Sequence, residues 1–265
     1  MQSRTRASNG STLLESALKR ERLVAAMLIV VIPLVCWAWI ALMARDMYGA
    51  MLGPSAWMMT PDWDAPHLLL LFVMWVAMMT AMMLPSASPL VLLYAGALRT
   101  RGAEHAARRV YALAGGYVLV WALFSVAATA LQRGLSSALV LTPMMEPATP
   151  WLAAAILVAA GLYQLTPFKS ACLRVCRSPL AYLLQHWGAG DTAAALRIGV
   201  GHGLYCLGCC WAMMLLLFAG GVMNLVVIVA LTGWVLAEKL APFGLYTARI
   251  TGVVLLALAA WIVMR

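Results

Sequence analysis

Residues 198–219 read IGVGHGLYCLGCCWAMMLLLFA and contain no charged side chain. At about 1.5 Å per residue, one α-helix of this length covers the ~30 Å hydrocarbon core of a bilayer. The apolar character is continuous rather than alternating, which excludes a barrel strand. At ~100° per residue, His202, Cys206, Cys209 and Met213 fall within roughly a 60° sector of that helix, with Cys210 just beside it. Imidazole, thiolate and thioether on one face form a ligand set for Cu(I), or for zinc as second choice if the sulfurs dominate. A lone buried cysteine is ordinarily an inert small hydrophobe and a lone methionine core filler. The clustering and spacing of these residues set the stretch apart.

The whole chain repeats the pattern. Of its 265 residues, 65% are hydrophobic and 10% charged, against about 25% charged in a soluble domain. The expected class is all-α, a polytopic membrane helix bundle with the lipid bilayer as its surroundings. The formal net charge of +9 is assigned to the Lys and Arg excess of cytoplasmic loops and not to nucleic acid. Six cysteines outside any short secreted framework imply no disulfide scaffold.

Working outward, transmembrane helices are expected at about residues 23–43, 67–94, 110–131, 151–165, 198–219, 222–240 and 246–264. That makes about seven, or six if Gly220 and Gly221 fold the fifth and sixth into a re-entrant hairpin. Residues 1–22 form a basic cytoplasmic N-terminal segment, and 23–265 a single transmembrane domain. Thr12 and Glu15 form a capping box for a short surface helix, and no cleavage site of a signal peptide follows. Thirteen of the 18 Lys and Arg residues fall in residues 1–22, 96–110 and 167–197. With seven crossings these share the inner side, placing the C-terminus outside. Trp37, Trp63, Trp151, Trp187 and Trp261 fit interfacial belts. Gly201, Gly203 and Gly208 invite close approach of a neighbouring helix. Lys239, near the inner boundary, is expected to snorkel, and Glu238 is left open between a functional and an interfacial role.

A second sulfur-rich stretch is MWVAMMTAMMLPSASP, residues 74–89. His67, Met74 and Met78 fall within about 40° on a helix, with Met82 about 40° further round, while Met79 and Met83 face elsewhere. Leucine would pack as well and with less flexibility, so the Met pairs are read as neutral Cu(I) ligands in hydrocarbon. Cys172 and Cys176, four apart beside Lys169, Arg174 and Arg177, suggest an inner transfer site, a redox pair or a structural role. His186 adds little. The outer loops hold Met47, Met51, Met58, Met59, Met144 and Met145, so thioethers grade into thiols towards the inner side. No Walker, GxGxxG, HExxH or GxSxG pattern and no Ser-His-Asp set is present, and no enzymatic activity is expected.

MWVAMMTAMMLPSASPLVLLYA, YQLTPFKSACLRVCRSPL and HGLYCLGCCWAMMLLLFAGGVMNL together resemble a bacterial family of predicted metal-binding integral membrane proteins, sometimes labelled copper chaperones. The likeness covers about residues 60–245. It implies an inner-membrane location and a metal role centred on copper, but no reaction. The matching motif residues are Met74, Met78, Met79, Met82 and Met83, Cys172 and Cys176, and His202, Cys206, Cys209 and Cys210. No departure removes a candidate ligand. The expectation is a multi-pass inner-membrane protein that holds Cu(I) between its second and fifth helices. Cys206, Cys209 and His202 are the proposed ligands, assisted by Met74, Met78 and Met213. It would deliver or transport copper, with a copper-acceptor protein or enzyme as partner. The alternatives are a membrane thiol–disulfide oxidoreductase using Cys206 and Cys209, and a metal-free assembly subunit.

Overall fold

The computed structural model describes residues 25–49, 53, 64–142, 145–187 and 190–264. The basic segment 1–22, with Thr12 and Glu15, and Met51, Met58, Met59, Trp63 and Met144 lie outside the described residues. Among the described residues there is no strand, and the one pairing of extended backbone is an isolated bridge between Leu141 and Pro147.

A π-helical turn, Met27–Val31, leads into α1 (Ile32–Met47). Helix α2 (Ala65–Met83) starts where Asp64 accepts from His67 N at 2.9 Å and Pro66 occupies the first turn. It gives way to a 3-10 turn, Leu84–Ala87, and then α3 (Ser88–Thr100). Pro85 and Pro89 cannot donate to the preceding turn, so the expected bend falls here. The Met83 carbonyl at the break accepts from Ser86 Oγ at 2.7 Å and Tyr117 Oη at 2.9 Å. Helix α4 is Ala106–Ser137 and α5 Pro150–Gln164. Thr166 then caps α6 (Pro167–Cys176), accepting from Lys169 N at 3.2 Å, and α6 lies bent by 68° from α5. The basic segment between the fourth and fifth expected spans is thus α6 and a second short helix, α7 (Pro179–His186).

Helix α8 (Thr192–Gly220) begins with Asp191 accepting from Ala194 N at 2.7 Å. It ends at Gly221, whose φ of +89° suits glycine. Asn224 caps α9 (Leu225–Leu240), accepting from Val226 N and Val227 N. The last helix, α10, is Gly244–Met264.

Five helical stretches are long and apolar enough to cross a membrane, and the bent pair α5–α6 makes up to six. The expected count of about seven included α9 as a full span. Its 16 residues rise only about 24 Å, short of a ~30 Å core.

Helix α8 is the centre of the packing. It crosses α4 backbone to backbone, because a Cβ at Gly199 would collide with the Leu113 carbonyl and one at Gly116 with the Leu196 carbonyl. The three glycines singled out in the sequence all face neighbours: Gly201 the Tyr182 hydroxyl, Gly203 Val120, and Gly208 the Cys172 sulfur. Helix α10 lies antiparallel on α5, where Gly161 and Gly252 meet through their backbones. One core cluster runs through α1, α2, α4, α8 and α9 and takes in Met74, Met78, Met82, Cys206, Cys209, Cys210 and Met213.

Candidate metal centre

Cys206 lies at the middle of α8, 14 residues from Thr192 and 14 from Gly220. Cys206, Cys209 and Cys210 are all 1% exposed. Cys209 Sγ donates to the Cys206 carbonyl at 3.1 Å, stands 3.2 Å from Cys210 Sγ and 3.8 Å from Cys176 Sγ on α6. Cys176 reaches α8 because α6 bends back over Gly208, against which Cys172 Sγ also rests. The two cysteine groups of the sequence therefore meet, Cys176 at the cluster and Cys172 one turn before it. All six cysteines are free thiols.

Cys206 Sγ has two polar neighbours contributed by other helices. Lys239 Nζ donates to it at 2.8 Å and also to Ser86 Oγ at 3.0 Å, while the Tyr117 hydroxyl lies 2.9 Å away. Ser86 and Tyr117 are the same groups that meet the broken end of α2. Lys239 is only 6% exposed, so the snorkelling expected of it is incorrect. Its ammonium points inward, to a thiol.

Glu238 is turned inward as well, 1% exposed, which settles it as a buried carboxylate rather than an interfacial one. Lys169 Nζ donates to its Oε2 at 2.6 Å and also to Gln164 Oε1. Gln164 Nε2 donates to Glu238 Oε1 at 3.2 Å and to Met213 Sδ at 2.9 Å. Thr251 Oγ1 adds a weaker bond to Glu238 Oε1 at 3.4 Å. Arg177 clamps the end of the same helix through the Glu238 and Pro242 carbonyls, at 2.7 and 3.0 Å. Gln164, Ser86 and Tyr117 were not singled out in the sequence; Lys169 was noted only as a cation beside the cysteines, Lys239 as a snorkelling one, and Glu238 was left open. A signal did exist, since ionisable residues within apolar helices are rare and costly unless paired. Their partners come from helices distant in sequence, which no periodicity reveals.

His202, one turn before Cys206, is 3% exposed. Its ring lies 5.3 Å from that of Tyr182 and 6.1 Å from that of Tyr117, and among the described residues no hydrogen bond reaches Nδ1. Burial chiefly, with Tyr205 and Cys176 nearby, holds the Tyr182 phenol up at about 12, so it stays a donor to the Ile198 carbonyl at 3.0 Å. His186 stacks on Tyr182, and its Nδ1 lies 2.9 Å from the Tyr182 carbonyl. On α2, Met74, Met78 and Met82 are fully buried, and so are Met79 and Met83. The stretch is enclosed on every side, so a single ligand face does not separate from the rest. Helices α2 and α8 do touch, with Trp75 and Phe218 rings 5.2 Å apart.

Among the described residues no three His, Cys, Asp or Glu side chains form a ready-made metal site. Two-sulfur coordination fits better. The 3.8 Å gap between Cys176 and Cys209 is short enough for an ion about 2.3 Å from one sulfur to reach the other, as ligand exchange requires. The unpartnered imidazole nitrogen of His202 adds a donor that no protein group uses. A closed tetrahedral zinc cage would need four ligands, and among the described residues no group of even three is so arranged.

The model of a family described as copper chaperone, PpoB2, matches residues 72–262. The match spans all ten candidate ligands as well as Lys169, Glu238 and Lys239. No curated protein and no solved structure matches the chain. With most of its length covered, including every residue of the thiol cluster, the chain belongs to the PpoB2 copper chaperone family.

Proposed function

We propose that this chain is a multi-pass protein of the bacterial inner membrane that holds copper as Cu(I) on its thiol cluster and passes it to an acceptor protein or enzyme. The observation that carries the reading is the meeting of Cys176 on α6 with Cys209 on α8, itself in contact with Cys210 and Cys206. Soft sulfur ligands favour Cu(I), and thiols this close allow an ion to move by replacing one sulfur with the next. Cys206 and Cys209 are the holding pair, His202 assists, and Cys176 is the exchange ligand on a different helix. The chain itself makes or breaks no substrate bond; it is a carrier, not an enzyme. Five long apolar helices support the membrane setting, and the family name supports copper.

The test is metal content of the full-length protein, purified reduced in detergent and loaded anaerobically with Cu(I), by elemental mass spectrometry. About one copper per chain, held against a moderate Cu(I) chelator and lost in Cys206→Ser/Cys209→Ser, is the expected result. Zinc bound in its place would overturn the reading in favour of a structural or regulatory site, and no metal in the wild type would overturn it and leave a Cys206–Cys209 redox pair as its successor.

A further inference from the structure

Buried charges must cancel, and the charges around the thiols can be counted. Glu238 is answered by Lys169 at 2.6 Å. Beyond that pair, the partly exposed Arg177 bonds the Glu238 and Pro242 carbonyls, and the fully enclosed cation is the Lys239 ammonium, 6% exposed, whose hydrogen bonds go to a neutral hydroxyl, Ser86 Oγ, and to the Cys206 sulfur. Among the described residues no carboxylate approaches it within ion-pair distance. An unpaired cation inside an apolar bundle is strongly disfavoured, so the site as built expects one unit of negative charge on its sulfurs.

We propose that Lys239 is a fixed counter-cation that sets the charge of the cargo, selecting a monovalent soft ion on two thiolates over a divalent one. This rests on the thiol-cluster reading above and deepens it. A monovalent ion held by Cys206 and Cys209 as thiolates leaves one net negative charge, which Lys239 cancels. A divalent ion on the same pair is already neutral and leaves the ammonium uncompensated. To balance, it would need a third thiolate. On loading, two metal–sulfur bonds form, any thiol proton still on the pair is released to water, and no electron is transferred. Lys239 touches the ligand and not the metal. It is a positioning and charge-compensating residue, held in place by the hydroxyl of Ser86 at the break between α2 and α3.

The opposite responses of two metals test this. In the full-length protein, Lys239→Met removes the charge while keeping the stem. Cu(I) affinity, measured by chelator competition, should fall by about a hundred-fold or more, the scale of breaking a buried charge pair, while Zn(II) affinity rises. Lys239→Arg keeps the charge and should preserve the wild-type order of the two metals. General damage to the fold would weaken both metals together, and that result, or an unchanged preference in Lys239→Met, overturns the inference without touching the proposed copper binding of the wild type. A wild type that binds no Cu(I) overturns both this inference and the reading beneath it. X-ray absorption of the copper-loaded wild type should give two sulfur neighbours, and a shell of three or four sulfurs would overturn the two-thiolate count.

Discussion

Two stretches of this chain are rich in sulfur and fully buried, and they differ in what surrounds them. On α2, Met74, Met78, Met79, Met82 and Met83 are enclosed in an apolar core. On α8, Cys206, Cys209 and Cys210 meet an ammonium, a phenol and a fourth thiol. Met213, on the same face as the cysteines, is tied through Gln164 to the Lys169–Glu238 pair. Sulfur content alone therefore does not distinguish filler from a site. Charged and polar groups from α6, α9 and the α2–α3 break mark the second stretch, at a burial cost that apolar packing would have avoided.

The largest effect separating the two stretches is loss of copper in Cys206→Ser/Cys209→Ser, and next comes the stability of the ion pair behind the thiols. Lys169→Met leaves Glu238 buried without its partner and should cost about 3–5 kcal/mol. Thermal unfolding in detergent reads this as a clear fall in midpoint. Adding Glu238→Met removes the stranded charge, so the double variant should recover much of that loss. If the single variant is as stable as wild type, the polar groups beside α8 are not a paired network, and the contrast with α2 weakens. A smaller effect is expected of Cys176→Ser. The holding pair stays intact, so copper stoichiometry should persist while transfer to a competing chelator slows severalfold. Loss of stoichiometry would instead make Cys176 a member of the holding set.

The all-helical class and most helix positions were legible because they depend on local properties: long uncharged runs, and Pro85 and Pro89 at the bend. Gly201, Gly203 and Gly208 were legible as contact points for the same reason. The length of α9 was not, since residues 222–240 read as one apolar run, whereas Asn224 caps a helix that starts only at Leu225. Nor was the burial of Lys239, whose partners Ser86 and Cys206 come from elements distant in sequence. The meeting of Cys176 with Cys209 was equally hidden, because it depends on the 68° bend between α5 and α6 and on the absence of a side chain at Gly208. Each cysteine group was visible as a motif, and the distance between them depended on tertiary geometry.

The smallest expected effect is also the sharpest test of the contrast. Met74→Leu/Met78→Leu/Met82→Leu replaces three thioethers at once with residues of nearly the same volume. Leu-for-Met exchanges in a core usually cost less than about 1.5 kcal/mol each, so the protein should remain folded. If the α2 sulfurs only fill space, copper stoichiometry stays at the wild-type value and Cu(I) affinity moves by less than about threefold, a difference of under 1 kcal/mol. A drop of tenfold or more with unchanged thermal stability would show that the thioethers hold the ion in spite of their apolar enclosure. The site would then extend from α8 across the Trp75–Phe218 contact into α2. Stability distinguishes that result from a packing defect, because a cavity or clash at three adjacent turns would lower the unfolding midpoint together with the affinity. Thioether ligation would lower the affinity alone, since Leu refills the space but offers copper no lone pair.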